Sequence, residues 1–367
     1  MNAIVQDTYG SPDVLRLERI ERPQPGDGEV LVRVHAAGVD PGVWHLMSGL
    51  PYLVRLMGYG LRKPKSRVPG GDFSGVVEAV GMNVTGLRPG DEVFGICKGA
   101  FAEYALAAAE HVVLKPESLS HEEAAGVPTS ALAALQGLRD AGELQPGAKV
   151  LIVGATGGVG TFAVQLARVL GAGEVTGVGS TRKLDMLRSI GADRVIDYTK
   201  EDFAEGRERY DLILDIAGNR SLSRLRRALT QRGTLVIVGG ENGGRWIGGT
   251  DRQLHALLAS GFASQTLRSL FSAPRKDDLE YLRNLLEVGD VRPVIDRTYR
   301  LSEAADAVRA LTHGHSRGKS VISLVSAPLD DAGRVSEAKA RRTAAQRRAR
   351  VRYERPVSVT STRGGSQ

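Results

Sequence analysis

The chain has 367 residues, 42% hydrophobic and 25% charged, with 45 glycines. That length allows two domains, and the composition is globular apart from its excess of glycine, which excludes a mostly disordered chain or a coiled coil. A single cysteine, Cys97, rules out an internal disulfide and hence a disulfide-stapled secreted protein. All but one unit of the net charge of +7 sits in the tail, where ten Lys/Arg face four Asp/Glu between Ala327 and Gln367, so the body offers no electrostatic footprint for a polyanion.

Residues 1–11 carry Asp7 and lack the basic start and apolar run of a signal peptide. The longest uncharged apolar stretch, Val150 to Ala167, is broken by four glycines and reads as a buried strand entering a helix rather than a membrane span. A cytoplasmic protein with no membrane partner is expected.

In chain order, the first 120 residues show short β-like runs at Val30–His35, Gly75–Val80, Asp91–Phe94 and His111–Leu114. Turn signals separate them at Pro25-Gly-Asp-Gly28 and Arg88-Pro-Gly-Asp91, the punctuation of a small barrel-like domain. From about Glu122, strands alternate with helices. Strands are predicted at Lys149–Gly154, Glu174–Val178, Arg194–Ile196, Leu212–Asp215 and Thr234–Val238, and helices at Gly158–Leu170, Arg182–Ile190 and Ser221–Leu229. That alternation implies right-handed crossovers and a doubly wound parallel sheet. A helix at Ser302–Leu311 and a last strand at Ser320–Val325 return to the first domain. The division is therefore 1–121 (barrel), 122–290 (parallel sheet), 291–326 (return) and 327–367 (a basic tail expected to be disordered).

The strongest chemical signal follows the strand at Val150. Ala155-Thr156-Gly157-Gly158-Val159-Gly160 leaves a strand and opens a helix, the context a dinucleotide fingerprint requires, although its first glycine position holds Ala155. Gly157 and Gly158 would let backbone approach a diphosphate at the helix N-terminus, where free N–H groups favour negative charge, and Gly160 would let the helix pack on the strand. An NAD site places an acid at the end of the next strand. Ser180, Arg182 and Lys183 stand there instead, suited to a 2′-phosphate, so NADPH is expected over NADH. Gly239 and Gly240 would admit the nicotinamide end, and Asp215 would orient its own loop.

These segments, together with Val68-Pro-Gly-Gly-Asp72-Phe-Ser-Gly75, Gly99-Ala-Phe-Ala-Glu-Tyr104, Gly191-Ala-Asp-Arg-Val-Ile-Asp-Tyr198 and Gly318-Lys319, resemble the medium-chain dehydrogenase/reductase superfamily. Within it the nearest resemblance is to the zinc-independent quinone oxidoreductases and the mitochondrial reticulon-interacting reductase group. The resemblance covers residues 1 to about 325. It implies an α/β fold with a GroES-like catalytic domain and a Rossmann domain, a small-molecule electron acceptor, and a homodimer.

Relatives that use zinc carry a cysteine and a Gly-His-Glu where this chain reads Gly38-Val-Asp40-Pro41 and Gly70-Gly71-Asp72. Only an unusual oxygen-rich set of Asp40, His45 and Asp72 would remain, so no metal is expected. The resemblance also implies that the loop after Pro41 lines the cleft. Tyr52 in that loop is either a proton donor or a packing residue, and His45 either an acid or structural. Asp40 matches a position commonly held by asparagine near the reacting groups. Tyr198 matches a position close to the adenosine phosphate, or is merely a strand-end aromatic. Thr129 or Ser130 could stand in for a family threonine near the nicotinamide.

The leading reading is an NADPH-dependent reductase of quinones or enone-like carbonyl compounds. Its rivals are an NADP-dependent alcohol dehydrogenase, and a nucleotide-binding redox sensor whose arginine tail engages nucleic acid.

Overall fold

An eleven-residue strand with eight buried residues, Glu29–Val39, organises the first half of the molecule. The computed structural model describes residues 1–239, 244, 264–312 and 317–325. Before the long strand (β3) lie β1 (Asn2–Val5) and β2 (Arg16–Arg19), an antiparallel ribbon with too few apolar residues to announce itself in sequence. After it come α1 (Pro41–Ser48) and the short α2 (Tyr52–Val54), which runs into a wide turn at Arg55–Tyr59. Then follow β4 (Asp72–Val80), β5 (Glu92–Ile96), β6 (Tyr104–Ala108) and β7 (Val112–Leu114).

Two helices join the halves. In α3 (His121–Ala125), Ser120 and Glu123 form a reciprocal capping box, which satisfies two end donors at once. The helix packs on β3, β4 and β5. The nearly fully buried α4 (Pro128–Gln136) follows.

The second half alternates as its sequence requires: β8 (Lys149–Val153), α5 (Gly158–Val169), β9 (Glu174–Gly179), α6 (Leu184–Ser189), β10 (Arg194–Asp197), β11 (Tyr210–Asp215), α7 (Leu222–Ala228), β12 (Leu229–Ile237), β13 (Thr266–Ser269) and α8 (Lys276–Val288). Its six strands are all parallel, in the order β10-β9-β8-β11-β12-β13. The direction of winding reverses between β8 and β11, the place where open α/β sheets bind ligands. Both faces of β8 are covered, and four of its five residues are buried, as its unbroken apolar run demands.

The chain then returns through β14 (Ile295–Arg300), α9 (Ala304–Thr312) and β15 (Lys319–Ser323). β15 pairs antiparallel with β3 and parallel with β14, completing a mixed seven-stranded sheet. One apolar cluster fills the barrel, and two cover the faces of the parallel sheet; Phe94 and Val113, from β5 and β7, reach into one of the latter beside Ile152 and Phe162.

The predicted elements are present with their ends adjusted. The helix expected over Arg182–Ile190 begins as a tight turn at Thr181–Lys183 before α6. The strand expected from Thr234 begins at Leu229, with an irregularity before Thr234. The tail, 327–367, lies outside the described residues. No helix among the described residues is long and apolar enough to cross a membrane.

Candidate active site

The turn after β8 is held by its glycines. Gly154 has φ 87°, a conformation that favours glycine. A methyl on Gly160 would lie 2.3 Å from the Gly154 carbonyl oxygen and 2.6 Å from Ala155 Cα, so Gly160 packs α5 against the turn closing the strand rather than against the strand itself. The N-cap of α5 is Gly157, which offers no side-chain acceptor, and the first-turn donors are left to a ligand or water.

Lys319 reaches this helix end from the returning strand. A methyl on Gly158 would meet Lys319 Cδ at 2.7 Å and Ser130 Oγ at 3.1 Å. The expectation that Gly158 keeps space open is thus only partly met, because a lysine stem crosses it. The approach is fixed by backbone: Gly318 N donates to Thr156 O at 2.9 Å, Gly157 and Gly318 form a parallel bridge, and Lys319 N donates to Val294 O at 2.8 Å. Lys319 is 2% exposed, and its amino group makes no hydrogen bond.

The nearest carboxylate to that amine is Asp72, at 3.7 Å and fully buried. Thr129 donates to Asp72 through its hydroxyl at 2.5 Å and through its backbone N–H at 3.2 Å. Burial pushes the Asp72 carboxyl up to about 7; Lys319 and Thr129 pull it down, while nearby Asp40 pushes it further up. Burial likewise pushes the Cys97 thiol up, with Asp72 adding to the effect. Sequence reading had noted Gly318-Lys319 only as part of a resemblance and gave the lysine no role. The Asp72 partnership depends on strands 247 residues apart in sequence meeting in the fold, for which no local signal exists.

At the end of β9, Gly179 lies so close to Thr156 that a methyl would meet its Cγ2 at 2.7 Å. Ser180 is half-buried and Arg182 exposed. The Lys183 ammonium is held below its ordinary value by burial, opposed by Asp296 and assisted by Arg317, so Arg317 adds a third cation to this corner. Thr181, by contrast, gives its hydroxyl to Asp197, and the Thr181 and Thr199 hydroxyls hold that carboxyl down at about 2. Tyr198 is 51% exposed, and its N–H donates to Gly179 O. Val159 is half-buried on the first turn of α5. A methyl on Gly239 would lie 2.0 Å from Ile216 O, so its glycine serves a close strand-end approach. Gly240 lies outside the described residues. Asp215 accepts from Gly218 N and orients its own loop.

The three residues proposed from sequence for the chemistry have separate partners. Asp40 is buried and caps α1, accepting from Val43 N at 3.3 Å. His45 Nδ1 lies 2.7 Å from Leu50 O. A carbonyl only accepts, so Nδ1 carries the proton and Nε2 is left an acceptor in the neutral ring. Tyr52 stacks against the Arg55 guanidinium, 4.8 Å from its ring centroid.

Among the described residues no three His, Cys, Asp or Glu side chains converge as metal ligands. Asp72, the ligand a zinc site here would need, is tied up by Thr129 and faces an ammonium, so this cluster does not fit a dication. A second triad-like group lies across the barrel: Ser74 Oγ is 2.8 Å from His121 Nδ1, with Glu92 3.5 Å from Nε2. Ser74 is fully buried and gives its hydrogen to Val93 O, so it is structural, not a nucleophile.

A GroES-like barrel joined to a six-stranded parallel nucleotide-binding sheet defines a two-domain oxidoreductase class. Comparison with known proteins agrees. Residues 26–117 match the alcohol dehydrogenase GroES-like domain and residues 190–322 match a zinc-binding dehydrogenase domain. The chain is 33% identical to a 2-methylene-furan-3-one reductase of Solanum lycopersicum, over 88% of this chain and 79% of that one. It is also 33% identical to the mitochondrial NAD(P)H oxidoreductase RTN4IP1 of Mus musculus, over 89% of each. The structure of a quinone oxidoreductase from Coxiella burnetii matches with a TM-score of 0.76 at 32% identity, over 89% of this chain and 99% of that one. The chain belongs to the medium-chain dehydrogenase/reductase superfamily, in its quinone oxidoreductase and RTN4IP1-like group.

Proposed function

We propose that the protein is a zinc-independent, NADPH-dependent reductase of quinones or α,β-unsaturated carbonyl compounds. The observation that carries this reading is the uncapped start of α5 with the buried, unbonded Lys319 amine beside it. A buried ammonium lacking hydrogen bonds is costly, and an anion at the helix end would satisfy both groups.

The residues fit the coenzyme. Backbone N–H groups of residues 157–160 and Lys319 would hold its diphosphate, and Ser180, Arg182, Lys183 and Arg317 its 2′-phosphate. Tyr198 would flank the adenosine end, and Gly239 would border the nicotinamide end. Bound NADPH supplies a hydride, and a conjugated acceptor spreads the resulting charge without a metal's help. The proton is assigned to the Tyr52 hydroxyl, since the Nδ1–H of His45 is already given to Leu50 O. Asp40 acts through its cap on α1, fixing the segment that carries both. The relatives named for an enone substrate and for a quinone support this acceptor class.

A steady-state screen tests it. NADPH should be consumed with quinones and enones faster than with aldehydes, and NADP should not be reduced by simple alcohols. Activity should survive a strong chelator. Loss of activity in chelator would remove the metal-free claim, and faster alcohol oxidation would favour the dehydrogenase alternative.

A further inference from the structure

Between Asp40 and Asp72 the chain carries five Lys/Arg and no acidic residue. The same stretch holds Leu46, Leu56, Met57, Tyr59 and Leu61, all exposed; Leu56, Met57 and Leu61 are each about two-thirds exposed or more (71%, 66% and 66%). Their clustering on one short segment differs from the scattered single apolar residues that any surface shows. The backbone beneath them is pinned. Tyr9 donates its hydroxyl to Tyr59 O and Gly60 O, Lys65 N donates to Tyr59 O at 2.8 Å, and Arg55 Nε donates to Gly49 O at 2.9 Å while its guanidinium lies over the Tyr9 ring. The apolar side chains are therefore presented on a fixed base. The space around Gly58 is open.

The charges divide into two kinds. Arg67 is neutralised by Asp7 and Glu18, whereas no carboxylate among the described residues pairs with the exposed Arg62, Lys63 or Lys65. Apolar side chains flanked by unpaired cations match a surface whose outer layer is anionic and whose interior is apolar. A second copy of this chain would set like charges against each other. An acidic protein would want a shaped apolar recess, and here separate side chains project from a turn instead.

We propose that residues 55–65 dock the protein reversibly on anionic phospholipid bilayers, with Leu56, Met57 and Leu61 entering the interface and Arg62, Lys63 and Lys65 facing the headgroups. Docking of this kind needs no membrane-spanning helix.

Vesicle flotation of the full-length protein tests it, using phosphatidylcholine alone and phosphatidylcholine with about one-third phosphatidylserine. The wild type should float with the anionic vesicles and stay behind with the neutral ones. The triple variant Arg62→Gln/Lys63→Gln/Lys65→Gln should lower partitioning at least about tenfold, since each surface cation contributes roughly fivefold. Leu56→Ser/Met57→Ser/Leu61→Ser, which alters no charge, should lower it at least as much. Both variants keep the basic tail, so its contribution cancels, and unchanged NADPH titration and thermal melting show that the fold is intact. The proposal is overturned if neither variant changes flotation, if only the charge variant does, or if immobilised polyglutamate retains the wild type as well as the vesicles do. The last result would point to an acidic protein partner.

Discussion

Lys319 places its amine, 2% exposed, where it makes no hydrogen bond. Its single carboxylate neighbour, Asp72, lies 3.7 Å away, and removing one member of a buried pair costs about 3–5 kcal/mol. Lys319→Met should therefore lower stability by roughly that amount and abolish tight NADPH binding. The double variant Lys319→Met/Asp72→Asn should recover most of the stability without recovering the coenzyme affinity, as urea denaturation and fluorescence titration would report. Recovery of both would mean that the lysine serves only Asp72. At the far end of the coenzyme, Arg182→Ala should weaken NADPH about five- to hundredfold while leaving NADH nearly unchanged. Residue roles divide sharply by legibility: the glycines at 157–160 and the hydroxyl-and-cation set after β9 stand in local order in the sequence, whereas Asp72, Thr129 and Lys319 are brought together only by the tertiary fold.

Elements show the same division. The start of α5 was readable because the chain there must change conformation within a few residues, at Gly154 through a positive φ and at Gly160 through a backbone approach that leaves no room for a side chain. Gly160→Ala, placing a methyl 2.3 Å from a backbone oxygen, should cost about 3 kcal/mol and lower the urea midpoint accordingly. A wild-type midpoint would mean that the turn can relax. Strands β8 and β11 were readable as apolar runs, since both of their faces are covered. β13 was not: four residues with one buried owe their conformation to the waiting edge of β12. α8 escaped because it begins Lys-Asp-Asp, and its apolar stripe of Leu279, Leu282 and Leu286 is visible only once the flanking boundaries are known. His45 and Asp40 were found by position in a resembled pattern, and the structure gives both a local bond that sequence alone does not reveal.

At the scale of the whole molecule, acid stability depends on groups buried within the barrel. His121 on α3 sits edge-on to His35 of β3 at 4.3 Å, beside Glu92 and Lys115, with Glu122 nearby. Burial above all, with His35 adding to it, holds the His121 imidazole down at about 4. An unfolded histidine takes up a proton near 6.5, so between those values the unfolded chain binds more protons, and stability falls as pH falls. Asp72, pushed up to about 7 from an ordinary 3.8, works in the opposite sense over an overlapping window. The two partly offset in the wild type, so the comparison with His121→Gln isolates the histidine. The difference in unfolding free energy from urea titration should shift in the variant's favour by ~2–3 kcal/mol between about pH 7 and pH 4.5, and a constant difference would show that the imidazole titrates normally.

The bridge between Gly157 and Gly318 has a temporal meaning as well as a spatial one. A nascent chain still short of Gly318 already contains all six parallel strands but neither the clasp on the glycine turn nor the amine that completes it. On the reading proposed above, coenzyme capture waits for nearly the whole catalytic body to leave the ribosome. Chains stalled or clipped before that point would be unable to draw on the cell's reductant.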